Sequence, residues 1–306
     1  MNFVPPHRKG LAALFSLYVI WSSTYLALSI AVGEDGFSPF FMVALRTAAA
    51  GALLLAFAAL RKEAVRPGLA DFVILVPAGL LLWLGGNGLI TWSLQRIDSG
   101  YAALSVGTLP LWTTLIDSIA DHRRPSPGLI LSLLLGFSGL LILNGSTLSR
   151  VPPQDIGRVI ALFCAPVFWS LGSVLQARRP VAVSSIASAG WQQLIASVGF
   201  LVATAIFETP VLPDGRGPWI AFVYVTVFGG LVAFTAYIFC LQVLSPTLAV
   251  SYAFVNPVIA VFLGWFFLDE TVHGSTFVSA ALIFAGVAGI IRFRRPKSAP
   301  PDSESR

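Results

Sequence analysis

Residues able to do chemistry are few in this chain, and several sit where lipid would not tolerate them. Arg46 lies some seven residues into the apolar run that opens at Pro39. A guanidinium in hydrocarbon is costly, and such residues usually face a bundle interior or water. Its uses there are to orient a carboxylate, to gate a path, or to clamp a carbonyl or salt bridge; a long stem can also snorkel to the interface. Trp83, Asn87 and Thr91 are spaced by four and so stack on one helical face, a polar-aromatic stripe inside an apolar run. In QVLSPTLAVSYAFVNPVIAVFLGWFFLDE (242–270), Asn256-Pro257 interrupts a stretch that is uncharged from about Thr247 to Leu268. Pro257 removes the hydrogen bond its N–H would give to the Ala253 carbonyl. In a bilayer that carbonyl needs a partner in protein or in a water-filled cavity.

The elements that hold these residues must be membrane helices. The 306 residues are 56% hydrophobic and only 11% charged, with a mean hydropathy of +0.83. Soluble domains carry about 25% charge. The run Leu11 to Val32 follows Arg8-Lys9 as a signal peptide would, but it exceeds the usual ~7–15 residues of such a segment and equally apolar sequence follows. It reads as a retained span. Cys164 and Cys240 both lie inside apolar runs, so no disulfide framework is expected. The net charge of +5 does not point to nucleic acid, because the basic residues lie in short loops beside the spans.

Ten apolar runs are present, at roughly 11–32, 40–60, 72–95, 100–119, 128–144, 159–176, 184–206, 219–242, 247–268 and 274–291. The chain repeats itself with a spacing of about 147 residues: Pro110 falls on Pro257, Leu94-Gln95 on Leu241-Gln242, Phe137 on Phe284 and Gly139 on Gly286. One further residue of shift sets Trp21-Ser22 on Trp169-Ser170. The expected units are 11–144 and 159–292, five helices each, followed by a disordered cytoplasmic tail at 293–306. Five is odd, so the second unit must enter the membrane inverted. With the N-terminus inside, the inner segments hold Arg8, Lys9, Arg61, Lys62, Arg66, Arg123, Arg124, Arg178, Arg179, Arg292, Arg294, Arg295 and Lys297. The outer loops hold only Arg96, Arg150, Arg158 and Arg216. That asymmetry favours cytoplasmic termini.

The sequence resembles the drug/metabolite transporter superfamily, in particular its EamA-type members. The resemblance rests on Trp21-Ser22, Arg46, the Ala-rich approach to Pro110, and SPTLAVSYAFVNPVIAVFLGWFFLDE from Ser245 to Glu270. It implies an all-α integral membrane protein of ten transmembrane helices, arranged as two inverted five-helix repeats. One position departs from the pattern: Arg123 stands where Glu270 does in the second unit.

Inverted repeats place a solute site near the midplane, where broken helices meet. The residues expected there are Trp21, Thr24, Trp169 and Asn256, with Arg46, Trp83, Asn87, Ser105, Thr108, Trp112, Tyr237 and Tyr252 approaching the same depth. Pro110 and Pro257 are the expected hinges. Gln192 and Gln193 suit interhelical hydrogen bonding. Gly85, Gly86 and Gly88 suit close packing or bending. No Asp, Glu or His occupies the centre of a span, whereas a proton relay would use one. That favours a facilitator or weakly coupled exporter.

An enzyme is the rival class. Gly136-Phe137-Ser138-Gly139 resembles the serine motif of rhomboid proteases, but such a serine needs a base within hydrogen-bond reach. His7, His122 and His273 all fall in loops or at span ends, so the two glycines read as packing residues. No HExxH, Walker loop or CxxC occurs, and no cofactor or metal is expected. A receptor or scaffold would need larger loops. The expected partners are a small-molecule substrate, the lipid bilayer and a second copy in a homodimer. The solute would be an amino acid or another aromatic or amphipathic metabolite, moved by alternating access across the cell inner membrane.

Overall fold

The computed structural model describes residues 6–97, 102, 105–144, 155–259 and 274–293. The expectations for Glu270, for the second half of the ninth run and for the tail lie outside them. Helices dominate: α1 (Pro6–Ala31), α2 (Pro39–Leu60), α3 (Leu69–Ser93), α4 (Leu109–Ala120), α5 (Pro127–Asn144), α6 (Ile156–Arg178), α7 (Ser185–Phe207), α8 (Arg216–Val243), α9 (Pro246–Ile259) and α10 (Gly274–Phe293). Within the described residues, each apolar run of the sequence falls mainly on one of them. Seven are long and apolar enough to cross a bilayer; among the described residues α4, α5 and α9 are shorter.

Local chemistry explains the ends. Pro39 and Pro110 occupy first turns, where the missing N–H is one the helix could not have used. Ser184 caps α7 by accepting from the Ala187 amide at 3.1 Å. Within the bundle, α2 packs on α7 and α5 on α10, while α1 runs along α8 and α6 along α3. Exchanging the halves at a spacing of 147 residues maps each pairing onto itself or onto another. Small residues let the backbones meet. A Cβ on Gly139 would lie 2.7 Å from the Ser279 carbonyl oxygen, and one on Gly286 would lie 2.6 Å from the Gly136 amide nitrogen. Gly136 and Gly139 are therefore packing residues, and Ser138 Oγ donates to the Leu135 carbonyl at 2.9 Å.

Two features depart from expectation. First, α3 and α8 each contain a nine-residue π-helical stretch, Leu80–Gly88 and Val225–Ala233, in equivalent places of the two halves. Such stretches are rare and often accompany function. Second, the discontinuity of α9 is not at Pro257. The chain turns at Val250–Ser251, closed by tight bonds from Ser251 N to Leu248 O and from Phe254 N to Ser251 O, both 3.1 Å, and Pro257 lies inside the helical turns that follow. In the first half the turn falls at Gly107–Thr108, just before Pro110. Both prolines thus follow a break and do not form it.

Candidate functional site

At the seam between the halves four aromatic residues from four helices make one cluster. The Trp21 ring of α1 lies 5.8 Å from Trp169 of α6, 5.3 Å from Tyr237 of α8 and 4.5 Å from Tyr252 of α9. Most of these pairs meet edge to face, the arrangement the ring quadrupoles favour. Polar handles fix the rings. Trp21 Nε1 donates to the Gly229 carbonyl at 3.4 Å, inside the second π-helical stretch. Trp169 Nε1 donates to the Tyr237 hydroxyl at 3.0 Å, and that hydroxyl shares a 2.5 Å hydrogen bond with Ser173 Oγ.

Beside the cluster is a small chamber of about 60 Å³. Trp21, Thr24, Asn87, Trp169 and Tyr252 line it, along with apolar side chains such as Leu28, Val106 and Pro166. That volume suits about two waters at ~30 Å³ each, whereas small-molecule sites run to several hundred Å³. The chamber as it stands is too small for a metabolite.

Behind Asn87 stands the buried cation. Arg46 is only 4% exposed, so the snorkelling alternative does not hold. Its Nη2 donates to Asn87 Oδ1 at 2.5 Å, and its guanidinium carbon lies 5.1 Å from the centre of the Trp83 ring. Thr91 Oγ1 donates to the Asn87 main-chain carbonyl at 2.9 Å and lies 3.4 Å from Asn87 Oδ1. Trp83 packs against Phe234 and does not reach the chamber. The four-spaced stripe therefore divides: Asn87 faces the chamber, while Trp83 and Thr91 support it.

Other expected residues are placed elsewhere. Ser105 Oγ donates to the Leu162 carbonyl, and Thr108 Oγ1 to the Ser105 carbonyl at 2.6 Å. Both hydroxyls pin the turn before α4. Trp112 is 36% exposed on the outside of α4, so it does not approach the chamber. Asn256, oriented by its hydrogen-bonding surroundings, donates from Nδ2 to the Tyr252 carbonyl at 3.0 Å and the Tyr18 carbonyl at 3.2 Å, tying α9 to α1. Tyr18, which sequence reasoning passed over, adds a 2.7 Å hydroxyl bond to Ser251 Oγ at the α9 break. Gln192 and Gln193 do bond between helices, to Gln176 Oε1 at 3.1 Å and the Gly230 carbonyl at 3.2 Å.

A far larger space lies away from this site. A groove of about 1190 Å³ separates α2 from α8 near the start of α7, walled by Leu53, Phe57, Val232 and Phe239. None of the residues expected to bind solute lines it. Leu53 and Phe57 are about half exposed along it, and Glu63, Gln176, Ser184 and Gln242 line it as well. The carboxylates hold the bundle ends: Arg178 bridges Asp117 and Asp121 at 2.7 and 2.8 Å. Asp71 accepts from the Gly68 and Ala182 amides at 3.0 and 2.9 Å. Glu208, beyond the end of α7, accepts from the Phe40 and Phe41 amides at the start of α2. Burial pushes its carboxyl above the ordinary range, and these two amides oppose the shift.

A bundle of apolar helices around a small aromatic chamber, with seven helices fit to cross a bilayer, defines a multi-pass membrane protein. The EamA-like transporter family matches the chain over residues 8–145 and 157–292, and the chain belongs to that family, within the drug/metabolite transporter superfamily. It is 34% identical over 279 residues to the uncharacterized inner membrane transporter YedA of Escherichia coli K12, across 90% of this chain and 88% of that one. It is 24% identical to the uncharacterized transporter YoaV of Bacillus subtilis, across 91% and 95%. The PecM protein of Dickeya dadantii is 24% identical, across 78% and 89%. A solved crystal structure superposes with a TM-score of 0.74 at 22% identity, over 94% of this chain and 98% of its own, which establishes the fold alone.

Proposed function

We propose that the chain is an alternating-access carrier of small amphipathic metabolites, such as amino acids or aromatic compounds, acting as an exporter or facilitator in the inner membrane. The observation that carries this reading is the small chamber where helices of both halves meet, walled by Trp21 and Trp169 from matched positions. A chamber of about 60 Å³ holds no metabolite, so a carrier must enlarge it by moving one half against the other. Two family matches along the chain and the exchange-related helix pairs support two inverted five-helix repeats making ten crossings. The bias of Lys and Arg supports cytoplasmic termini. The relatives named as inner membrane transporters support the location.

The hinges of this motion are the turns at Gly107–Thr108 and Val250–Ser251, with Pro110 and Pro257 stiffening the segments that follow. The protease alternative lacks support, since Ser138 is engaged within its own helix and has no base beside it among the described residues.

Accessibility tests the motion. Thr24 lines the chamber and is 7% exposed. With Cys164 and Cys240 replaced by Ser, a Thr24→Cys variant should react with a membrane-impermeant thiol reagent from either side of the membrane, and saturating solute should slow both reactions. Reaction from one side only, whatever the conditions, would reject alternating access.

A further inference from the structure

The Arg46 guanidinium is held differently from the ion-paired arginines of the bundle. Arg61, Arg96, Arg158 and Arg178 each lie within 4.0 Å of a carboxylate. Arg46 is buried at 4% exposure and has no carboxylate partner among the described residues. Its protein contacts are one hydrogen bond to a neutral carboxamide and one aromatic face, and its Nε has no acceptor. A structural clamp would have filled more of the five N–H positions, because an unpaired buried charge is severely penalised. The charge is held ready for an anion.

The geometry says where that anion would sit. Arg46 Nη2 takes Asn87 Oδ1, while Thr91 Oγ1 donates to the Asn87 main-chain carbonyl at 2.9 Å, so Nδ2 is the end of the carboxamide left for a solute in the chamber that Asn87 lines. No carboxylate lines that chamber. Trp21 Nε1 is committed to Gly229, Trp169 Nε1 to Tyr237, and Thr24 Oγ1 to the Trp21 carbonyl. The chamber therefore presents the Asn87 carboxamide, bonded at its oxygen to the buried Arg46 charge, between aromatic walls. We propose that Asn87 and Arg46 form the anion subsite of this chamber, and that the solute is a carboxylate bearing an apolar or aromatic body. This deepens the carrier reading and rests on it. Enlarging the chamber would let the carboxylate meet Asn87 Nδ2 first and the guanidinium as Asn87 swings aside.

The test compares four probes of one skeleton on the full chain in lipid nanodiscs: 3-phenylpropionate, phenylalanine, phenylalanine amide and phenethylamine. Quenching of tryptophan fluorescence reports binding. The two carboxylates should bind at least about tenfold more tightly than the amide or amine, the size of one charge-assisted hydrogen bond. Arg46→Gln should abolish the preference and Arg46→Lys should restore part of it. Asn87→Asp guards against misfolding of the arginine variants. It gives Arg46 an internal carboxylate and should preserve the folded protein while removing carboxylate binding. Equal binding of all four probes, preference for the amine, or unchanged preference in Asn87→Asp would overturn the inference. Counterflow of an uncharged solute that depends on Trp21, with no carboxylate bound, would sink the anion subsite and leave the carrier standing.

Discussion

Replacing Tyr237 with Phe deletes one oxygen from the aromatic cluster and leaves its ring in place. That oxygen accepts from Trp169 Nε1 at 3.0 Å and shares a 2.5 Å bond with Ser173 Oγ, in a residue with 0% exposure. Ser173 keeps a partner in the variant, because its Oγ also lies 2.5 Å from the Trp169 carbonyl. Trp169 Nε1 keeps none. An orphaned buried donor costs about 1–3 kcal/mol in soluble proteins, while interhelical bonds in membranes average about 0.6 and reach about 1.7. The expected loss for Tyr237→Phe is therefore about 1–2 kcal/mol. Ser173→Ala should lose a similar amount, because Ser173 Oγ donates to the Trp169 carbonyl and so accepts from Tyr237, whose buried O–H is then the orphaned donor. The two changes share one hydroxyl, so their effects should not add. Reversible denaturant unfolding of the detergent-purified chain, followed by tryptophan fluorescence, measures all three variants. A Tyr237→Phe protein as stable as the parent, or strictly additive losses, would refute the hydrogen-bonded account of the cluster.

Four shorter predictions follow from other contacts. Glu208 has its carboxyl raised by burial, so its contribution to stability is fully present below the ordinary carboxylate range and lost as pH rises through the raised value. Stability measured against pH should fall relative to Glu208→Gln across that window; the opposite slope would contradict the sign. Gly139→Leu sets a Cβ 2.7 Å from the Ser279 carbonyl oxygen, which is backbone and cannot yield. Folded yield on size-exclusion should collapse, and normal yield would mean α5 and α10 are not locked there. Lys62 ends α2 with a φ of 57°, so Lys62→Gly should stabilise by about 1 kcal/mol in the same unfolding assay. Ser251→Ala strips Tyr18 of its hydroxyl partner at the α9 break and should slow transport without loss of expression. Unchanged transport would retire that break as a moving part.

What the sequence made legible followed from period and composition. Among the described residues every apolar run is mainly helical, and the repeat that set Trp21 on Trp169 pointed to two rings that lie 5.8 Å apart. Arg46 and Asn87 were each picked out as polar residues inside apolar runs, but their pairing was not, because it joins two helices through a single side-chain bond. The α9 break was misplaced because Pro257 is the visible signal. Ser251 holds the bend by donating from Oγ to the Leu248 carbonyl at 2.8 Å, a single local bond that is faint in sequence beside a proline, and Tyr18 reaches it from α1. The π-helical stretches escaped for a similar reason. Apolar residues and glycines over 80–88 read as ordinary helix, and only contacts such as Gly86 against Trp169 distinguish them. Trp112 was misjudged because depth along a helix does not say which face it occupies.

The central claim is that the aromatic chamber carries solute across the membrane, and counterflow tests it most directly. Proteoliposomes holding the full chain would be preloaded with pooled unlabelled amino acids and aromatic metabolites, and uptake of each labelled solute followed with and without a pH gradient. The account predicts transient accumulation of one solute class, little changed by the gradient and lost in Trp21→Ala protein that inserts normally. Accumulation that persists in Trp21→Ala, or none from any pool, would contradict it.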